Sequence, residues 1–127
     1  MSDTTPFLAL GGEAALRPLV ERFVLRVFQD PMIGFLFRAA DRSRVAEKEY
    51  ELAARHLGAD VPYTGRPLAL AHAPHPISGG HFDRRKKILE EVLLEAGAPA
   101  SVIAAWLGQV EALRGAIVRE AGRCAPP

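Results

Sequence analysis

The chain has 127 residues, and 49% of them are hydrophobic, which suffices for one buried core and leaves room for only a very small second domain. Its 16 basic and 15 acidic residues give a formal net charge of +1, which argues against nucleic acid or an anionic membrane surface as a partner. The single cysteine, Cys124, excludes a disulfide framework or a cysteine metal cluster within one chain and favours a reducing, cytoplasmic setting.

The N-terminal segment ends at Gly11-Gly12 and does not resemble a targeting sequence. It has no basic start, and its apolar run from Phe7 to Leu10 is too short for a signal peptide. No later stretch is long and apolar enough to cross a bilayer, so we expect a soluble, unprocessed protein. A first amphipathic helix follows, and Asp30-Pro31 ends it. Its apolar residues recur at helical spacing: Leu16, Leu19, Val20, Phe23, Val24, Val27 and Phe28.

A second helix can begin at Asp41 or Ser43, because either side chain can cap its first turn, and Leu57-Gly58 ends it. The residues predicted to share one side of this helix are Val45, Glu49, Leu52, Ala53 and His56. Glu49 is the exception on this side, since a carboxylate stands where the helical period predicts an apolar residue.

The stretch between Gly58 and Gly80 is rich in proline and glycine and leaves room for about one helical turn, Pro67 to Ala73. His72 lies near the end of this turn, where Pro74 stops the helix and frees carbonyl groups. One nitrogen of a histidine can bind a metal while the other donates to a carbonyl, for which Leu68, four residues earlier, is the natural acceptor. On spacing alone, an ordinary loop histidine is the commoner explanation.

Two more helices complete the pattern. Ser78 can cap a third helix that runs to Gly97, and Pro99 opens a fourth that we expect to continue through Ile117. The apolar residues of these two helices are Phe82, Ile88, Val92, Leu93, Ile103, Trp106, Leu107, Val110 and Leu113. No segment alternates with the period of a strand, so the sequence predicts an all-α domain with four substantial helices.

Other familiar sites have no support in the sequence. His56, His75 and His81 do not form a zinc pattern with His72, because no pair has the i, i+4 spacing of a helical zinc site and no cysteine or carboxylate pair completes a set. The chain also lacks a phosphate-binding loop, a dinucleotide fingerprint and a nucleophile elbow. Nucleotide binding and nucleophilic hydrolysis therefore have no local motif.

Several short motifs together resemble the truncated haemoglobins, in the order and with the spacing of that family, over roughly residues 7 to 120. Glu95-Ala96-Gly97-Ala98-Pro99 is typical of the family's first group. The other matching motifs are Leu10-Gly11-Gly12-Glu13, Val20-Glu21-Arg22-Phe23, Asp30-Pro31 followed by Phe35-Leu36-Phe37, Tyr63-Thr64-Gly65-Arg66-Pro67, Ala71-His72 and His81-Phe82-Asp83.

The resemblance implies a globin-like two-over-two helical sandwich formed as a single domain over residues 1–127, with flexible tails at 1–6 and 121–127. It implies haem b as the cofactor, held between the helix that carries Glu49 and the turn that carries His72, with His72 as the proximal iron ligand. Lys48, Arg44 and the run from Arg84 to Lys87 could meet the haem propionates, since such carboxylates lie at a pocket rim and prefer basic neighbours, but a solvated charged face is the commoner explanation for most of these side chains. We expect contacts to the cofactor from six residues. These residues are Phe37, Val45, Lys48, Glu49, Leu68 and Phe82.

The predicted distal pocket departs from the family pattern. Members of the first group usually carry a tyrosine directly after the phenylalanine that matches Phe23, but this chain has Val24, which cannot donate a hydrogen bond. The ligand-facing positions of the distal helix match Val45 and Glu49. A buried carboxylate must be paired, protonated or turned to solvent, and Arg85 is the candidate partner. The alternative is that Arg85 is simply solvated within the basic run Arg84-Arg85-Lys86-Lys87.

The resemblance therefore predicts a haem-binding globin that binds oxygen, nitric oxide or a similar small ligand at the iron. Because the distal tyrosine is missing, a redox enzyme acting on peroxide or nitric oxide, supplied with electrons by a reductase, is an alternative. A haem-free helical interaction module is a third possibility, against which the presence of His72 and Phe37 argues. A second internal iron ligand from His56 or His75 also stays open at this point.

Overall fold

The computed structural model describes residues 5–65 and 78–118, and all the regular structure in these residues is helical. The predicted turn from Pro67 to Ala73, with Leu68 and His72, lies outside the described residues, as do His75, residues 1–4 and residues 119–127. The helices are α1 (Pro6–Leu10), α2 (Gly12–Gln29), a 3₁₀ helix (Gly34–Phe37), α3 (Arg42–His56), α4 (Gly79–Glu95), α5 (Ala100–Ala112) and α6 (Arg114–Ile117).

Gly11 separates α1 from α2. Its φ of 124° is in the region that favours glycine, and a Cβ there would lie 2.8 Å from the Cβ of Ala15. The sequence does not predict α1, because five residues are too few for a periodic signal. Tertiary contact holds this helix instead, since the backbone N–H of Phe7 donates to the carbonyl of Leu57 at 2.9 Å.

The end of α2 is fixed by Asp30, as the sequence predicts, and by a contact that the sequence does not reveal. One oxygen of its buried carboxylate accepts from the backbone N–H groups of Met32 and Ile33 at 2.9 and 3.1 Å. The other accepts from the guanidinium of Arg84 on α4 at 2.6 Å, and this hydrogen bond lowers the pKa of Asp30 below its ordinary value. Asp30 thus joins the end of α2 to α4.

The predicted caps of α3 and α4 are confirmed. The Asp41 carboxylate accepts from the backbone N–H of Ser43 at 3.0 Å, so Asp41 rather than Ser43 precedes α3. At α4, the Ser78 hydroxyl accepts from the N–H of His81, while Nδ1 of His81 accepts from the N–H of Ser78, both at 3.1 Å. This reciprocal capping box uses the His81 ring.

The fourth predicted helix is wrong in one respect, because it does not continue through Ile117. The chain turns at Leu113 and divides it into α5 and α6. The turn brings Arg114 within hydrogen-bond distance of Asp83 on α4 and Glu111 on α5, and Gly115 lowers the helix propensity there. Interhelical contact and composition together explain the break.

The long helices form two layers, which confirms the predicted two-over-two sandwich. Helix α2 packs on α3, α4 packs on α5, and the two pairs meet through α2 with α4 and α3 with α5. The largest fully buried side chains include Trp106, Phe23, Leu16, Ile33 and Leu57. None of the described helices is long and apolar enough to cross a membrane.

Candidate functional site

Glu49 and Arg85 form an ion pair between the two layers, which is the contact that the sequence predicts. Glu49 lies one helical turn after Val45 on α3, and Arg85 lies in the second turn of α4. The Nη2 group of Arg85 donates to Oε2 of Glu49, and the two side chains are only 25% and 18% exposed. The predicted alternative, a solvated Arg85, is therefore wrong for the described structure.

The surroundings of this pair are partly aromatic. The Cζ atom of Arg85 lies 4.9 Å from the ring centroid of Phe23, a buried residue of α2, so the guanidinium stacks on an aromatic face. Within the described residues, the second carboxylate oxygen of Glu49 has no hydrogen-bond partner. Phe23 thus supports the guanidinium of Arg85, and among the described residues one carboxylate oxygen of Glu49 accepts no hydrogen bond.

His56 ends α3 two turns after Glu49 and lies within the electrostatic reach of the pair. Its Nε2 atom is buried and has no hydrogen-bond partner in the part of the chain that the structure describes. Burial lowers the pKa of His56; the charge of Glu49 raises it, and the charges of Arg85 and Arg55 lower it. The net lowering favours the neutral imidazole at neutral pH.

Tyr63 lies in the segment after α3, near enough to Glu49 and Glu51 for their charges to act on its phenol. Burial raises its pKa, and so do the negative charges of Glu49 and Glu51. A side chain at Gly65 would collide with the Tyr63 ring, so glycine permits the close approach of backbone and phenol. Sequence reasoning used Tyr63 only as part of a motif and did not place it near Glu49.

Glu51 anchors the segment that contains Tyr63. Its buried carboxylate accepts from the backbone N–H of Thr64 at 2.7 Å and from the Thr64 hydroxyl at 2.9 Å. Burial raises the pKa of Glu51, but these hydrogen bonds and the charges of Lys48 and Arg17 lower it, with a net lowering. The ammonium of Lys48 also donates to the Thr64 hydroxyl at 2.5 Å and lies 3.9 Å from Glu51.

The predicted apolar contacts of the cofactor divide into half-buried and buried residues. Phe37 and Val45 are half-buried against the core, and the Phe37 ring stacks on Phe28 with 5.1 Å between centroids. Phe82 is 2% exposed, and the guanidinium of Arg114 lies 4.5 Å from its ring centroid. Apolar surface that a flat ligand could cover therefore remains on the first two residues.

Val24 is 2% exposed and belongs to the core cluster. It also lies in a groove of about 640 Å³ between α2 and α3, beside residues such as Ala46 and Tyr50. No described contact joins Val24 to Glu49 or Arg85. The structure therefore brings Glu49 and Arg85 together, with Val45 one turn away, and leaves Val24 in the packing between helices.

The basic run of α4 does not converge on one site. Arg84 bonds Asp30, while Lys86 and Lys87 pair with Glu111 and Glu90 at 3.0 and 3.3 Å. Only Arg85 turns to Glu49. Among the described residues no group of three or more histidine, cysteine or carboxylate side chains is arranged to hold a metal ion.

Two kinds of comparison with known sequences give the same family. The model of the bacterial-like globins matches residues 5–119. A group 1 truncated haemoglobin of Mycolicibacterium paratuberculosis is 33% identical over 115 residues, which span 90% of this chain and 85% of that protein. Another from Synechocystis is 31% identical over 117 residues, spanning 89% of this chain and 91% of that protein.

Solved structures agree with the sequence relatives. The truncated haemoglobin of Tetrahymena pyriformis in its Fe(III) form superposes with a TM-score of 0.86 and 25% identity, covering 92% of this chain and all of that one. The haemoglobin of Chloroflexus aurantiacus gives a TM-score of 0.80 and 28% identity, covering 93% of this chain and all of that one. The match extends over whole chains rather than over a shared fragment.

Proposed function

This chain belongs to the bacterial-like globin family as a truncated haemoglobin, and we propose that it binds haem b through His72 and takes up a small ligand such as oxygen or nitric oxide. The observation that carries the proposal is the Glu49–Arg85 pair, which lies half-buried on the helix faces that the family resemblance assigns to the distal side. A buried ion pair is a poor source of stability, so a role in ligand binding accounts better for its presence.

Two requirements of a haem group can be compared with the described residues. Haem needs apolar cover, and the half-buried side chains of Phe37 and Val45 can supply it beside the core. It also needs a neutral nitrogen ligand that is not already engaged. His81 is a poor candidate because its Nδ1 is used in the capping box. Among the remaining histidines, His56, His72 and His75, the family motif favours His72, which lies outside the described residues.

In this proposal each residue has a defined task. Bound haem would supply an iron atom that accepts a small ligand. His72 would provide one ring nitrogen to the metal and donate from the other to the carbonyl of Leu68, which fixes the orientation of the ring. Phe37 and Val45 would cover the porphyrin with apolar surface, while Phe82 would support that surface from the core.

The polar residues would contact the bound ligand and the haem propionates. Because Val24 has no hydrogen-bond donor, Arg85 would take over donation to the bound ligand, and Glu49 would hold its guanidinium in place. Lys48 would meet a propionate. Its ammonium already contacts Thr64 and Glu51, so a propionate would bind the same ammonium as these two residues.

Redox chemistry on peroxide or nitric oxide is the second candidate function. The observation that favours it is that α3 carries the half-buried carboxylate of Glu49 and, two turns later, His56, whose pKa responds to the charge of Glu49, because carboxylates and imidazoles can move protons to a reacting ligand. This function requires an electron donor, for which we propose a reductase in a reducing, cytoplasmic setting. Stable oxygen binding by the ferrous protein would favour the first function, and rapid autoxidation would favour the second.

The test of haem binding is an absorption spectrum of the protein with added haem, ferric and then reduced. We expect a Soret band whose histidine-ligated character is lost in His72→Ala and kept in His75→Ala, a matched control three residues away. An unchanged band in His72→Ala would refute the ligand assignment. If haem gives no specific band with the unaltered chain, the proposed function is wrong.

A further inference from the structure

We propose that the groove between α2 and α3 binds small carboxylic acids that carry a short apolar chain. The groove has a volume of about 640 Å³, within the range of small-molecule sites. Two arginines at one end would hold the carboxylate, and apolar side chains along the groove would hold the chain. The inference goes beyond the proposed function, because Glu49 and Arg85 do not line this groove.

The groove lies on a different face of α3 from the side that carries Val45 and Glu49. Its lining residues on α3 include Ser43, Ala46 and Tyr50, which follow one another at intervals of three and four residues. Residues at this spacing share one helix face, whereas Val45 and Glu49 share another. A molecule in the groove would therefore contact α3 on a different face from the one that the family resemblance assigns to haem.

Arg17 closes one end of the groove. Its Nη1 group donates to Glu47 on α3 at 3.0 Å, and its Nε group donates to Glu13 at 2.6 Å. Its Cζ atom lies 3.9 Å from the ring centroid of Tyr50, which is 5% exposed. Because two carboxylates already balance the charge of this guanidinium, Arg17 forms a wall of the groove and not a site for an anion.

Arg22 and Arg42 lie at the other end of the groove. The two helices are antiparallel, since α1, which directly precedes α2, is hydrogen bonded to Leu57, directly after α3. Arg22 follows Arg17 by five residues, and Arg42 precedes Glu47 by five. At a helical rise of about 1.5 Å per residue, both arginines therefore lie about 7.5 Å beyond the contact between Arg17 and Glu47, in the same direction along the groove.

The charged side chains that line the groove without an ionic partner favour a monoanion as the ligand. Arg22 and Arg42 are exposed, and neither forms an ion pair or a side-chain hydrogen bond within residues 5–65 and 78–118. Glu21 is exposed and has no ionic partner among these residues either. Two positive charges and one negative charge leave one positive charge, which a carboxylate neutralises and a phosphate dianion would reverse. The planar guanidinium groups also match the two oxygens of a carboxylate.

Apolar side chains line the groove between its two ends. Val24 is 2% exposed at the floor, while Leu25 and Ala46 are half-buried and Pro18 is exposed. These side chains offer methyl and methylene groups but no hydrogen-bond donor. The apolar chain of a ligand would lose contact with water against them, which favours binding. The carboxylate and the chain therefore contact different parts of one groove.

The test is isothermal titration calorimetry of decanoate into the full chain, which is first saturated with haem so that the proposed haem site is filled. We expect one decanoate bound for each chain and no measurable binding of acetate, which lacks the apolar chain. Decanol should bind about fivefold more weakly than decanoate, because its head group carries no charge. A chain that binds no haem is titrated without it, and the variants that follow locate the site in either case.

Four variants locate the site. Arg22→Gln and Arg42→Gln should each weaken decanoate binding about fivefold, because each removes one cation of the groove. Glu21→Gln should strengthen binding about threefold, because it removes the unpaired carboxylate. Arg38→Gln is the matched control, since this exposed arginine follows the 3₁₀ helix and does not line the groove, and it should bind decanoate as the unaltered protein does.

Failure of the unaltered protein to bind decanoate would overturn the inference. Equal affinities in Arg42→Gln and Arg38→Gln would overturn it too, because decanoate would then bind elsewhere. So would loss of the Soret band when decanoate is added, since the ligand would then occupy the haem site. Tighter binding of decyl phosphate than of decanoate at about pH 8, where the phosphate is a dianion, would overturn the assignment of a monoanion.

Discussion

The surroundings of His56 determine its hydrogen bonding and its pKa. The residue lies at the end of α3, its buried Nε2 has no hydrogen-bond partner among residues 5–65 and 78–118, and burial lowers its pKa. The sequence predicted that His56 shares a side of α3 with Glu49, and it left His56 open as a second iron ligand. Its isolation from hydrogen-bond partners depends on how the rest of the described chain packs, which helical spacing alone cannot give.

The lowered pKa of His56 predicts a pH-dependent stability. The unfolded chain binds a proton at an ordinary pKa of 6.5, while the folded chain binds it only at lower pH. The free energy of unfolding should therefore fall as the pH drops from about 6.5 toward the folded-state pKa. Urea unfolding of His56→Gln should show a weaker fall over this range than the unaltered protein.

The control for this prediction is His81→Gln, which keeps a side chain suited to the capping box at the start of α4. This variant should retain the fall in stability with pH. An equal pH dependence in His56→Gln and in the unaltered protein would contradict the prediction. The carboxylates with lowered pKa, Asp30, Glu51 and Glu111, lose their contribution only as the pH falls below their ordinary values of 3.8 for Asp and 4.5 for Glu, which lie below the pH of 6.5 where the His56 effect begins.

The helices show which boundaries local sequence can determine. Asp41 and Ser78 were predictable as caps because the capping side chain lies within three residues of the N–H groups that it accepts from. The 3₁₀ helix from Gly34 to Phe37 and the break at Leu113 were not predicted. Both are short features that depend on neighbouring helices, so no periodic pattern of apolar residues predicts them.

Asp30 links two helices, and its replacement should be costly. In Asp30→Asn the carboxylate that accepts from Arg84, Met32 and Ile33 becomes a neutral amide, so the charged partner loses its counter-ion. We expect a loss of about 2 kcal/mol in the free energy of unfolding by urea titration. Asp83→Asn is the matched control, since Asp83 is 63% exposed where it bonds Arg114, and it should change stability by less than about 0.5 kcal/mol.

Gly11 is required by the junction between α1 and α2. Gly11→Ala must adopt a φ of 124° and place its Cβ 2.8 Å from Ala15, so we expect a loss of about 1–2 kcal/mol in thermal unfolding. Gly80→Ala is the comparison, because Gly80 lies in the first turn of α4 and its nearest neighbour would be Ser78 Oγ at 3.7 Å. That variant should be neutral or slightly stabilising, and equal losses in both would count against the role of the junction.

At the scale of the whole molecule, the all-α sandwich could be predicted from helical periodicity and from the family motifs. The Glu49–Arg85 pair could also be predicted, because a carboxylate on an apolar helix face needs a partner and the family places a pocket-facing residue at Arg85. The position of Tyr63 could not be predicted from the sequence. It depends on the hydrogen bonds between Glu51 and Thr64, which join residues far apart in the sequence.

Haem binding, if it occurs as proposed, should stabilise the whole fold. A ligand that binds only the native state adds about 3 kcal/mol when its free concentration is a hundred times the dissociation constant. The midpoint of thermal unfolding should therefore rise when haem is added. His72→Ala should lose most of this rise and His75→Ala should keep it; equal rises in the two variants would argue against His72 as the ligand.

The hydrogen bonds between Glu51 and Thr64 also have a mechanical consequence. Helix α3 carries Glu49 on its surface, and through Glu51 and Lys48 it also holds Thr64, just before residues 66–77 with His72 begin. A displacement of α3 as a rigid body would carry along both the carboxylate of Glu49, proposed above for the distal side, and Thr64, after which the chain continues toward the predicted proximal ligand. One helix therefore holds both Glu49 and Thr64, and substitutions in the core beneath α3 should shift these two residues in the same direction.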